Sequence, residues 1–230
     1  MLVRRGLGRA GGGSSRSAGA VRGDRSCRNR DAEALTFLER WTATGAGVHA
    51  FFDADYPSQL RSIHQMPPIL FTKGTPAEDT RAIAVVGTRQ ASEQGLRTAS
   101  AVARDLALVG VTVVSGLAKG IDAAAHRAAL EAGGRTVAVI GTGIDQSYPA
   151  ENRALQRQIS RDGLLLSQFW PDAPPSQRNF PMRNAVMSGY AAATVVVEAP
   201  WKSPHPSPPR PGTWTAGGHA GATPGARLGP

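Results

Sequence analysis

The chain has 230 residues, 41% of them apolar and only 6% aromatic, which is enough for one core resting on Val, Ile, Leu and Ala. Lys and Arg outnumber Asp and Glu 26 to 17, a formal charge of +9 that favours a polyanionic partner such as nucleic acid, although much of the excess sits in the first thirty residues. The single cysteine, Cys27, excludes an internal disulfide and any cysteine-based metal cluster and suits a reducing cytoplasm, and no run reaches the roughly 18 to 20 apolar residues of a membrane-spanning helix, so no membrane partner is expected.

Residues 1–30 are rich in Arg, Gly and Ser and lack apolar periodicity, which predicts a disordered basic tail; the composition also fits an organellar transit peptide. Residues 31–80 read as a small N-terminal extension. Ala34, Leu35, Phe37, Leu38 and Trp41 recur at helical spacing, prolines at 57, 67 and 68 break the chain, a turn of helix falls near Ser58 to Ile63, and Ile69-Leu70-Phe71 is extended.

Clear alternation begins at Ala82. Strands are expected at Ile83 to Val86, Val111 to Val114, Thr136 to Ile140, Leu164 to Leu166 and Thr194 to Val197. Between them lie helices opened by Ser92 and closed by Gly110, over Asp122 to Ala132, from about Ala150 to Arg161, and over Arg183 to Tyr190. This predicts an α/β fold, Rossmann-like, with a mostly parallel sheet and helices on both faces over residues 81–199. Residues 200–230, crowded with Pro, Gly, Trp and His, break the pattern and supply no further strand.

Ligands of an open parallel sheet bind beyond the carboxyl ends of its strands, near helix N-termini. Three small-residue loops converge there: Gly87-Thr88-Arg89, Ser115-Gly116-Leu117-Ala118-Lys119-Gly120 and Gly141-Thr142-Gly143. Glycines admit a phosphate to the backbone N–H groups while Arg89 and Lys119 add charge, so the expected ligand is a phosphate-bearing anion. No G-x-G-x-x-G follows the first strand and no G-x-x-x-x-G-K-[ST] run exists, so neither an ordinary NAD nor an ATP site is expected, and no cofactor or metal. Asp122 and His126 stand one helical turn apart like a base and its orienter, but no nucleophile accompanies them; Asp122 is expected to cap its helix and His126 to pack against the loop.

The run from Ser115 to Asp122, continued by Ala125-His126 and Ala129-Leu130, resembles the signature of the DNA-processing protein A (DprA/Smf) family. Tyr56-Pro57 with Leu60, Pro67-Pro68 with Leu70, Gly74 and the Val86-Gly87-Thr88-Arg89 turn follow the family order upstream. Ala138 to Gly143, Asp145, Tyr148-Pro149, Asn152, Phe180-Pro181, Arg183-Asn184 and Val197-Glu198-Ala199 follow it downstream, so the likeness spans about Tyr56 to Ala199. The resemblance implies a non-catalytic single-stranded DNA binder that protects incoming DNA in natural transformation, loads a RecA-type recombinase and forms a homodimer. It further implies that Gly87, Thr88, Arg89, Ser115, Gly116, Lys119, Gly120 and Gly141 hold phosphates, with Phe180, Arg183 and Asn184 at the border and Phe180 able to stack on a base.

The sequence departs from the family at Gln168, where Glu is usual, and at Ala185, where a second Arg is common. After Ala199 the family's further helix and strands are not recognisable, which suggests a frameshifted C-terminus and an incomplete sheet and puts the dimer in doubt. Two other readings stand beside DNA binding: a nucleoside monophosphate phosphoribohydrolase-like Rossmann enzyme, whose P-G-G-x-G-T-x-x-E run is absent, and a non-functional fragment.

Overall fold

The computed structural model describes residues 33, 35–37, 39, 41–43 and 45–199. The expected basic tail and the expected out-of-frame tail lie outside the described residues. The chain divides into two compact units, Met1–Phe37 and Leu38–Pro230. In the first, Glu33, Leu35, Thr36 and Phe37 are helical. The second unit holds the sheet and the candidate site.

Its centre is a seven-stranded sheet: β1 (Gly47–Ala50), β2 (Ile69–Gly74), β3 (Ala82–Val86), β4 (Thr112–Ser115), β5 (Thr136–Val139), β6 (Leu164–Ser167) and β7 (Ala193–Val196), in the order β1-β2-β6-β5-β4-β3-β7. The last five are mutually parallel, whereas β2 runs antiparallel to both β1 and β6. The fold is α/β and Rossmann-like, as the alternation of apolar runs and helices foretold. The 47–74 segment adds two antiparallel strands to the same sheet. Only Val48 and Ala50 in β1 are apolar, too short a pattern to signal a strand; β1 is held by its register with β2, Val48 opposite Phe71 and His49 opposite Leu70.

Helices over the sheet include α1 (Glu93–Leu108), α2 (Ile121–Glu131), α3 (Arg153–Asp162) and α4 (Asn179–Tyr190), with single 3-10 turns at Ser58–Leu60 and Ala150–Asn152. Strand residues alternate between two faces. Ala82, Ala84, Val114, Val137, Val139, Leu164 and Leu166 pack with Leu60, Val186, Met187 and Tyr190. On the other face, Val85 and Val113 meet the small side chains Ala99, Ala103, Ala107, Ala125, Ala128 and Ala129 of α1 and α2, while Ala138 and Leu165 meet Leu155 and Ile159 of α3. Alanine at these positions lets α1 and α2 lie close together.

Ser92 is the N-cap of α1, its Oγ accepting from Gly95 N–H at 2.9 Å. Helix α4 begins four residues earlier than the sequence suggests. Pro181 falls in its first turn, where a missing N–H costs no helical hydrogen bond. Phe180 and Pro181 therefore ride on the helix. The chain steps from β3 through β4 and β5 to β6, then returns to set β7 on the opposite side of β3. This reversal opens a crevice at the carboxyl end of β3.

Candidate nucleic-acid interface

The loop after β4 is held from both sides. Asp122, in the first turn of α2, reaches back so that its carboxylate accepts from Gly116 N–H at 3.1 Å and Ala118 N–H at 3.3 Å. From the other side Asn152 Nδ2 donates to the carbonyls of Leu117 at 3.0 Å and Ala118 at 3.1 Å. Between these clamps Leu117 adopts φ 57 with its side chain buried, a conformation costly for a non-glycine residue. The helix cap expected at Asp122 is Gly120 instead, at φ 77, where a Cβ would stand 2.5 Å from Thr88 O. Asp122 acts on the loop because its carboxylate already has the loop N–H groups as donors.

Three cations approach this loop in three environments. Arg183 on α4 is buried, donates from Nη1 to Val139 O at 2.9 Å, and lies beneath Gly116, where any Cβ would come within 1.6 Å of the guanidinium. Burial lowers its pKa, the charge of Asp122 opposes that shift, and Arg89 adds to it; an arginine stays cationic through such a change. Arg89 is exposed, with its Cζ 5.0 Å from the centroid of the Phe180 ring, a cation–π contact. Lys119 is exposed and pairs with Glu151.

Phe180 lies against Gly141 and is tilted over Tyr148, ring centroids 5.9 Å apart. Arg89, Gly116, Lys119, Gly141, Phe180 and Arg183 thereby line one cavity of about 200 Å³, together with Ala118, Thr142, Tyr148 and Pro149. It opens into a groove along β7 bordered by Gly87, Thr88, Asn184 and Glu198. Arg89 and Lys119, drawn from loops thirty residues apart, thus face a common space. Two expected residues line neither: Ser115 ends β4 with its Oγ buried and donating to Val85 O at 2.6 Å, and Gly120 serves as the helix cap.

One expected donor group is taken. The amino end of α1 is occupied by Glu198, whose carboxylate accepts from Ser92 N–H at 3.1 Å and Ser92 Oγ at 2.9 Å. Thr142, from the third small-residue loop, lines the cavity with Tyr148, while Glu151 and Asn152, given no individual role from sequence, support the site. The signal for Asn152 and Tyr148 was their place in the family motif; Glu151 carried none.

The Asp122 and His126 pair is sequestered. Burial pushes the Asp122 carboxyl upward, opposed by the Arg183 charge and the Ala118 and Gly116 N–H groups. His126 sits in α2 with Nδ1 2.7 Å from Thr136 Oγ1, and burial, followed by the Arg183 charge, pushes its pKa down to about 3. A fully buried, neutral imidazole held by a β5 hydroxyl and by the backbone of Ser115, where the loop begins, is a packing residue. Among the described residues no group of three or more His, Cys, Asp or Glu side chains could hold a metal, and no helix is long and apolar enough to cross a membrane.

A mostly parallel α/β sheet carrying a cationic, aromatic-lined pocket beyond its strand ends defines a Rossmann-like protein with a cationic crevice. The chain belongs to the DNA recombination-mediator protein A family, which it matches over residues 47–204. It is 43% identical over 155 residues to the DNA processing protein DprA of Streptococcus pneumoniae, covering 67% of this chain and 55% of that protein. To the protein Smf of a Synechocystis strain it is 42% identical over 156 residues, 66% of this chain and 39% of the relative. The chain therefore spans about two fifths to just over half of these relatives.

The X-ray structure of the pneumococcal protein superposes with a TM-score of 0.67 at 39% identity, over 75% of this chain and 59% of that one. DNA processing protein A from Helicobacter pylori, whose solved structure concerns its single-stranded DNA binding mode, matches with a TM-score of 0.62 at 25% identity, over 69% and 71% of the two chains.

Proposed function

We propose that this chain binds single-stranded DNA through the cavity and groove at the carboxyl ends of β3, β4 and β5, as a DNA-processing protein of natural transformation. The observation that carries this reading is the convergence of Arg89, Lys119 and Arg183 with the rings of Phe180 and Tyr148 on one space. Cations neutralise successive phosphates while an aromatic face accepts any base, so recognition tolerates sequence and weakens with salt. Family membership and the likeness to the Helicobacter pylori protein support the choice of DNA as the anion. The Gly87, Thr88 and Asn184 border extends the path along the groove, and Gly116 and Gly141 let the backbone approach.

The role is binding without catalysis: Asp122 and His126, the acid–imidazole pair of the site, are buried in structural hydrogen bonds. Protection of incoming DNA, loading of a RecA-type recombinase, a homodimer and a cytoplasmic setting complete the proposal on the strength of the family. The test is a fluorescence-anisotropy titration of the full chain with labelled oligothymidylate at low and moderate salt, and a parallel incubation with AMP. Saturable binding that weakens with salt, with AMP intact, is expected. Absence of binding at low salt, or release of free base and ribose phosphate, contradicts the proposal.

A further inference from the structure

Among the described residues, Lys119 is the site cation held in a direct ion pair. Its Nζ donates to Glu151 Oε1, and the two side chains are 54% and 62% exposed, so the pair stands open to solvent and to incoming anions. Glu151 is in the 3-10 turn Ala150–Asn152, between Tyr148 and Pro149, which line the cavity, and Asn152, which clamps the loop carrying Lys119. The acid is thus fixed to the same scaffold as its partner. The hydrogen bond from Lys119 holds the Glu151 carboxyl below its ordinary range, so it is anionic at neutral pH. Arg89 forms no ion pair among the described residues and rests on a ring instead.

We propose that Glu151 is an internal competitor for the phosphate that Lys119 binds, setting the affinity of the cavity and its preference for strands over single nucleotides. The proposal rests on the reading of the site as a DNA cradle and adds a residue that works against binding. A phosphate arriving at Lys119 exchanges one anion for another and gains little there. A single nucleotide has few other contacts to offset that exchange, whereas a strand also engages Arg89 and the two rings. The acid therefore filters by the number of contacts made at once.

A double-mutant cycle tests this: the wild type, Glu151→Gln, Lys119→Gln and the double variant, each titrated with labelled oligothymidylate at low salt. Exposed ion pairs of this kind correspond to about a two- to fivefold effect, so Glu151→Gln is expected to tighten binding by that factor and to do nothing in the Lys119→Gln background. Equal tightening in both backgrounds would mean that Glu151 acts only through the overall field, and unchanged or weakened binding would mean that it does not compete; each result overturns the proposal. Failure of the DNA reading looks different, since the wild type then shows no salt-sensitive binding and Lys119→Gln has no effect. Thermal melts verify that each variant is folded, with Glu151→Ala as the substitute if Glu151→Gln is not.

Discussion

The two ends of the parallel sheet carry charge in opposite ways. At the amino ends of β3, β4 and β5, Asp79 accepts from Arg135 Nε at 2.6 Å and Nη2 at 3.0 Å, from Thr112 Oγ1 at 2.7 Å and from Tyr190 Oη at 2.6 Å. Burial raises the Asp79 pKa, but the hydrogen bonds from Arg135, Tyr190 and Thr112 outweigh it and hold the carboxyl below its usual range. At the carboxyl ends Arg89 lies on a ring, Lys119 on a surface acid, and the buried Nε of Arg183 meets no partner among the described residues. One end has closed its charges into a network that ties strands together. The other leaves Arg89 and Lys119 at the surface, outside any such network.

The largest effect expected from this contrast is on stability. Asp79→Asn leaves Arg135 without its charge partner and should cost about 3 kcal/mol, the lower part of the range for breaking a buried pair, because a quarter of the Arg135 side chain remains exposed. Urea denaturation measures it. A loss below about 1 kcal/mol would show the amino end to be no more than a surface contact.

His126, bonded to the first residue of β5, gives a second test on a buried titratable group. Its folded pKa of about 3 lies below the ordinary 6.5, so as pH falls below 6.5 the unfolded chain takes up a proton that the folded chain refuses. This contribution is complete above 6.5 and is lost as pH falls toward 3, at up to about 1.4 kcal/mol per pH unit. Asp122, whose pKa burial raises, acts in the opposite sense, so the cleaner readout is the imidazole itself. Its NMR signal should not titrate between pH 8 and 5; a midpoint near 6.5 would mean that the ring reaches solvent.

A smaller effect, confined to the open end, is expected for Phe180→Ala. Losing a stacking face of about 1 to 3 kcal/mol per base should weaken oligothymidylate binding roughly tenfold while leaving the melting transition nearly in place. A large drop in melting temperature with unchanged affinity would reassign the ring to the core.

The sequence made the parallel core legible because its strands are short continuous apolar runs, buried on both faces in β4, β5 and β6. It left β1 hidden, since a four-residue edge strand with His49 and Gly47 has too little pattern. Arg89 and Lys119 were readable as site cations because each follows a strand in a small-residue loop. The burial of Arg183 was not, because it depends on the empty space above Gly116, 67 positions away in sequence. The pairing of Glu151 with Lys119 was hidden for the same reason: it joins residues 32 apart through a fold that no local pattern encodes.

The central claim is that Arg89 and Lys119 serve one cradle, and the salt dependence of oligothymidylate binding by the Arg89→Ala/Lys119→Ala double variant tests it most directly. Each phosphate contact on a single strand contributes about 0.7 to the slope of log affinity against log salt, so the double variant should lose about 1.4 from that slope and bind far more weakly at low salt. A slope and an affinity equal to those of the wild type would contradict the account.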